Sequence, residues 1–183
     1  MIKFQSIGYR RICFYGGAGC GKSVIAAEAF VALKKKHFKT ELVQEYIKQM
    51  AYENRIPESG DQVKIFGEQL WMEDRVLRRN RVQYVVTDSP VFLGTCYAKQ
   101  HNAFGWKHLT GLSNDFDILF KPLHIFVKRG KKPYQKDGGR FQDEKAAREM
   151  DEYILSELEE LGQPVHYMTT LNKRKLFKLL DEK

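Results

Sequence analysis

The stretch Gly16-Gly17-Ala18-Gly19-Cys20-Gly21-Lys22-Ser23 sets a lysine and a hydroxyl directly behind a run of glycines. The spacing GxxxxGK[ST] suits the capture of a phosphate chain. Glycines let successive backbone N–H groups turn inward around phosphate oxygens, Lys22 neutralises the β- and γ-phosphates, and Ser23 binds Mg²⁺. ATP and Mg²⁺ are therefore the expected cofactors. Cys20 reads as a small spacer within the loop. The loop alone leaves the fate of the phosphate open: water, water coupled to motion, or an acceptor hydroxyl. Two carboxylates bear on that choice. Asp88, ending "YVVTD", stands where an acid orients the metal ion. It is followed by Ser89 and Pro90 rather than by the second acid with which many motor-type ATPases activate water. Glu45, in "LVQEY", is a candidate to orient an acceptor hydroxyl and take its proton.

These residues need strands and helices to carry them. The run from Arg11 to Tyr15 reads as a buried strand entering the glycines, and "KSVIAAEAFVALKKKH" as the helix leaving them, with basic residues in its last turn to suit the dipole. Thr40 to Tyr46, Val82 to Asp88, Lys121 to Arg129 and Pro164 to Thr169 read as four further strands. A helical stretch runs to Arg55, and another from Gln62 to about Arg79, with Asp61 or Ser59 as its cap. Two helices separated by "NAFGW" occupy Phe92 to Phe120. "DEKAAREMDEYILSELEELG" and "NKRKLFKLLDEK" supply the last two. Strands alternating with helices imply a parallel sheet covered on both faces, and right-handed crossovers narrow this to a doubly wound α/β fold of about five strands. Ligands in such folds sit beyond the carboxyl ends of the strands. With the second strand expected beside the phosphate-loop strand, Glu45 would face the gap between them.

At 183 residues without repeat or linker, the chain reads as one domain, 1–183. Three cysteines at unrelated spacings, Cys13, Cys20 and Cys96, offer neither a disulfide framework nor a zinc pattern. The opening "MIKFQSIGYRRICF" lacks the apolar core of a signal peptide, and no apolar run approaches the roughly 20 residues of a membrane span. A cytoplasmic protein with no membrane partner is expected. The formal net charge of +8 points toward a polyanionic partner such as nucleic acid. Two basic groups stand out. "VKRGKKPYQKDGGRFQ" sets Lys128, Arg129, Lys131, Lys132, Lys136 and Arg140 among glycine hinges after a strand, as a lid would, over about 129–142. Arg75, Arg78 and Arg79 share a helical face and, with Arg81, Lys48 and Arg55, form a possible acceptor-side patch.

Taken together, "GGAGCGKS", "QEY", "TDSP" and "KPYQKDGGR", in this order, resemble the P-loop nucleoside and nucleotide kinases from Arg11 to about Thr169. The series is similar in particular to small phage-type P-loop kinases that include the 5-hydroxymethyluracil DNA kinases. It differs from deoxynucleoside and thymidylate kinases, having Glu45-Tyr46 in place of their Glu-Pro pair. The resemblance implies Glu45 as catalytic base and Arg129 and Arg140 as lid arginines on the phosphates, alongside Lys22 and Asp88. It implies a kinase acting on a nucleotide hydroxyl, with 5-hydroxymethyluracil in DNA the favoured acceptor, in the host-cell cytoplasm if phage-encoded. A base within a duplex would have to be flipped out of the stack to reach the loop. Two alternatives stay open: a soluble nucleoside or nucleoside-monophosphate kinase, nicotinamide riboside type included, and a nucleotide-dependent ATPase or switch acting on a protein partner.

Overall fold

Five runs rich in β-branched and aromatic residues pair in parallel into one sheet, in the order β2-β3-β1-β4-β5. The computed structural model describes residues 10–78, 81–130, 134, 142–170 and 172–181. The strands are β1 (Arg10–Tyr15), β2 (Thr40–Val43), β3 (Tyr84–Thr87), β4 (Pro122–Val127) and β5 (Val165–Met168). Between them run α1 (Lys22–Lys35), α2 (Ile47–Tyr52), α3 (Asp61–Leu77), α4 (Val91–Gln100), α5 (Trp106–Leu119) and α6 (Glu144–Glu160), and α7 (Lys173–Asp181) closes the chain. No helix among the described residues is long and apolar enough to cross a membrane.

The α/β reading holds, with one correction of topology. β3, not β2, lies beside β1, in the register Ile12 to Val86 and Cys13 to Thr87, and β2 pairs with the far edge of β3. Glu45 thus reaches the phosphate loop from two strands away, on the turn between β2 and α2. The second strand also stops at Val43, and the helix after it ends at Tyr52, so both are shorter than their apolar patterns suggest. Neither Ser59 nor Asp61 caps α3. The Ser59 hydroxyl accepts from the Phe104 N–H, and the Asp61 carboxylate takes Arg55 and the Glu58 N–H.

Alternation along β1 divides the core. Ile12 and Phe14 face α1 and α7, packing with Ile25, Ala29, Leu33 and Leu176. Cys13 and Tyr15 face α4 and α6, packing with Phe92, Cys96, Met150 and Ile154. A third cluster joins Val43 and Val85 to Phe66, Leu77, Leu109 and Phe116 of α3 and α5. His124 of β4 is buried against Tyr15. Its Nε2 donates to Gln163 Oε1 at 3.2 Å, so the neutral ring accepts the Tyr15 hydroxyl at Nδ1, 3.0 Å away. Burial lowers its pKa from the ordinary histidine value.

One charged residue enters this apolar frame. Arg11, fully buried in β1, donates through Nε and Nη2 to Glu73 of α3 at 2.8 and 2.6 Å, and through Nη1 to Asp117 of α5 and, at 3.4 Å, to the Phe120 carbonyl. Its guanidinium also lies 4.6 Å from the Phe116 ring centroid. The second oxygen of Glu73 accepts the N–H of Val91, the first residue of α4, at 2.9 Å. Removing one member of such a cluster strands the others without counter-charge. Arg11→Met is expected to cost about 3–5 kcal/mol in urea unfolding; a loss under about 1 kcal/mol would mean that the cluster contributes no more than an exposed pair.

Candidate active site

The phosphate loop leaves β1 in a conformation that its glycines make possible. Gly16 has φ of +137°, and a side chain there would meet Cys20 Sγ at 2.7 Å. At Gly17 a Cβ would stand 2.4 Å from the Ala147 carbonyl oxygen, because α6 packs directly on the loop. The Gly17 N–H donates to Asp151 Oδ1 of α6 at 2.5 Å. Gly21 ends the loop with φ of +103°, and the N-terminus of α1 follows, adding its positive end to the site. Lys22 folds back over the loop, its Nζ donating to the carbonyls of Gly16 at 2.7 Å and Gly17 at 3.1 Å. Burial opposes the Lys22 charge, but the negative groups around it, Glu45 and Asp88 among them, outweigh that and hold its pKa above the ordinary lysine value. Burial pushes the Cys20 thiol up, so Cys20 is a neutral packing residue of the loop rather than a reactive thiol.

Beside the loop, Ser23, Asp88 and Glu45 converge on one ammonium group. Lys48 Nζ of α2 lies 2.7 Å from Ser23 Oγ, 3.4 Å from Asp88 Oδ2 and 3.8 Å from Glu45 Oε2. Asp88 is 4% exposed and does not cap α4, whose N-cap is Pro90 without a side-chain bond. Its Oδ1 is buried with no hydrogen-bond partner. A hydroxyl and a carboxylate that share a cation while one carboxylate oxygen stays unmatched form a donor set of the hard-oxygen type that suits Mg²⁺ together with nucleotide phosphates. Ser23 and Asp88 therefore fit the ion expected from the sequence. Lys48, read there only as part of a basic patch, is a residue of this centre, and only its side-chain reach across the turn from Glu45 reveals it.

From this cluster a cavity of about 870 Å³ extends away from the loop. Ala18, Gly19, Gly21, Lys22 and Ser23 line its phosphate end, with Glu45 and Lys48 between that end and the far wall. Phe66 and Ile65 of α3 and Val91 and Leu93 of α4 form an apolar part of the remaining lining, with Gln62, Ser89, Tyr97 and His101 as polar members. Gln69 adds a polar group to this apolar wall. The Tyr46 N–H donates to its Oε1 at 3.1 Å, which fixes the amide orientation and leaves Nε2 buried without a partner. At the rim, Tyr52 and Ile56 are exposed.

Of the segment 129–142 expected as a lid, only residues 129, 130, 134 and 142 are described. Arg129 donates through Nε to Asp151 Oδ2 at 2.5 Å and through Nη2 to the Ala147 carbonyl at 3.0 Å. The carboxylate that holds the Gly17 N–H thus also holds this arginine beside the loop. Tyr134 covers Gly19, where a Cβ would stand 2.7 Å from its ring, and donates its hydroxyl to the Gln142 carbonyl at 2.6 Å. Arg140, with Lys131, Lys132 and Lys136, lies outside the described residues, as does Arg79. Of the expected acceptor-side patch, Lys48 lines the cavity, whereas Arg55, Arg75, Arg78 and Arg81 do not. Arg78 pairs with Asp74, Arg55 with Asp61, and the Arg75 guanidinium stacks 4.5 Å from the Trp71 ring centroid.

A glycine loop between the middle strand and the following helix, a buried acid at the next strand end and a parallel five-stranded sheet define a P-loop nucleotide-binding domain of the NTPase type. The chain belongs to the AAA_28 family, described as an AAA domain, whose model matches residues 11–174. The solved structure titled "Crystal structure of APE1195" is similar over 97% of this chain and 100% of that chain, at 16% identity and a TM-score of 0.46. A comparison with curated proteins finds no match.

The close approach of α6 gives a direct test of the loop. Gly17→Ala sets a methyl group against the Ala147 carbonyl, and the overpacking, about 1–3 kcal/mol, is expected to weaken binding of a fluorescent ATP analogue by about tenfold. Unchanged affinity would show that the loop and α6 separate freely.

Proposed function

We propose that the protein transfers the γ-phosphoryl group of ATP, with Mg²⁺, to a hydroxyl of a nucleoside-class molecule. The observation that carries this reading is a cavity lined by Lys22, Ser23 and Glu45 together with Phe66, Val91, Leu93 and the unmatched Gln69 amide. A site built only for hydrolysis has no use for such a lining. The one acid at the end of β3, followed by Ser89 and Pro90, supports the same reading against an ATPase or switch.

In this mechanism Lys22 and the loop amides hold the β- and γ-phosphates, while Ser23 and Asp88 hold the metal ion. Held there, the ion would neutralise charge developing on the phosphates. Glu45 orients the acceptor hydroxyl and takes its proton as the oxygen bonds to the γ-phosphorus and the bond to the leaving ADP oxygen breaks. Arg129 and Arg140 of the lid stabilise charge on the transferring group once Arg129 turns from Asp151. On the acceptor wall, Gln69 Nε2 donates to a carbonyl oxygen of the acceptor ring, and Phe66, Val91 and Leu93 pack against its flat body.

Charge distribution favours a free, uncharged acceptor. Among the described residues lining the cavity, Lys22 and Lys48 are the only lysines or arginines, Lys22 in the phosphate loop and Lys48 beside Ser23 and Glu45, whereas the rim offers Tyr52, Ile56 and Glu58. A nucleoside monophosphate or a DNA backbone would call for cations at that rim. The second reading, 5-hydroxymethyluracil in DNA, rests on the net charge of +8.

Labelled ATP offered with nucleosides, with their monophosphates, with a duplex containing 5-hydroxymethyluracil and with no acceptor separates these readings. Labelling of nucleosides is expected. Labelling of the duplex alone would move the acceptor to DNA, and phosphate release independent of any acceptor would sink the kinase reading. Glu45→Gln is expected to lower transfer by roughly 10²-fold or more while ATP-analogue affinity stays close to wild type; transfer at the wild-type rate would remove Glu45 from proton abstraction.

A further inference from the structure

We infer that Lys48 is the resident cation of the metal seat, holding Ser23 and Asp88 in place until the metal–nucleotide complex displaces it. The ammonium of Lys48 spans the two residues that suit the ion and the candidate base as well, at 2.7 Å from Ser23 Oγ, 3.4 Å from Asp88 Oδ2 and 3.8 Å from Glu45 Oε2. Two carboxylates so placed beside a buried site repel one another unless a cation lies between them. Lys22 also acts on these carboxylates through its charge, but its ammonium is turned onto the carbonyls of Gly16 and Gly17, so Lys48 is the lysine in direct contact with Ser23 and Asp88. Lys48 is suited to leave. Its side chain is 35% exposed, it sits on a helix of only 6 residues, and the large cavity adjoins it.

The arrangement makes Lys48 a positioning residue with a measurable cost. A seat already occupied is available to an incoming ion only for the fraction of time that the lysine is away, and the apparent metal affinity falls by that fraction. The inference rests on the magnesium–nucleotide reading of the loop but not on the identity of the acceptor.

The test compares binding of a non-hydrolysable ATP analogue in EDTA and in Mn²⁺, by calorimetry, for wild type, Lys48→Met and Lys48→Arg. The quantity that matters is the ratio of the two dissociation constants, because general damage to the loop affects both and cancels. With its occupant gone, Lys48→Met is expected to raise the ratio by about 3- to 10-fold, as for a seat occupied most of the time, and Lys48→Arg is expected to stay near wild type. Should Lys48→Met not fold, Lys48→Gln takes its place. A ratio unchanged or reduced in the neutral variant, with wild type still binding more tightly in Mn²⁺, would overturn the role of Lys48 and leave the reading of the loop standing. A wild-type protein whose analogue binding is indifferent to Mn²⁺ would overturn both.

Discussion

A guanidinium with no access to water must find its counter-charge inside the protein, and Arg11 finds it on α3 and α5 at once. The desolvation of three charged groups is costly, and their mutual attraction offsets it only when the geometry is kept. That condition spreads outward. Glu73, held by Arg11, holds in turn the first N–H of α4, so one cation fixes the relative positions of β1, α3, α4 and α5. Phe66 and Gln69 lie on α3, and Val91 and Leu93 on α4, so this wall of the cavity is assembled around the same buried charge. The phosphate loop begins a few residues beyond Arg11 on the same strand. Both ends of the site are thereby tied to one strand and one ion cluster.

The two ends differ in kind. At the loop, charges and backbone dipoles are gathered at short range: Lys22, Lys48, Ser23, Glu45 and Asp88. Away from the loop, Ile65, Phe66, Val91 and Leu93 make part of the lining apolar, and Gln69 Nε2 and Ser89 Oγ are two buried polar atoms there with no hydrogen-bond partner among the described residues. An apolar wall lowers the effective dielectric around the charged end and makes each of its interactions stronger than it would be in water. A pocket of this design discriminates by what it leaves unmatched. On the proposed reading, a ring that satisfied the Gln69 amide would be accepted at little cost, and one that could not would leave a buried donor unpaired.

Much of this was legible in the sequence, and the reasons for the exceptions are physical. The glycines of the loop, Lys22, Ser23 and Asp88 announce themselves because each is demanded by local geometry or by a strand end. The five strands and the helices between them follow from apolar runs and their periods. Strand order does not, since an apolar run says that a strand is buried and not which neighbour it chooses; hence β3, rather than β2, beside β1. Lys48 was legible only as one cation of a basic patch and Gln69 not at all, because a lone lysine or glutamine on a helix has no spacing to mark it, and only the fold brings Lys48 to Ser23 and turns Gln69 inward. Arg11 was read as the edge of an apolar run, and its partners lie 62 and 106 residues away. Arg75 and Arg78 were legible as a face but not as a site, for Trp71 and Asp74 engage them locally.

Asp151 binds the Gly17 N–H through one oxygen and Arg129 through the other, while the Ala147 carbonyl accepts a second bond from the same arginine. Helix α6 therefore gives the phosphate loop its shape before any nucleotide is present. A glycine-rich segment is among the most conformationally free that a chain can contain, and confining it on binding would weaken affinity by the entropy lost. Here that loss is incurred during folding and shared with the burial of Met150, Ile154 and Leu158 in the core. The glycines keep their steric permissiveness and give up their disorder, so the loop meets its ligand as a rigid receptor.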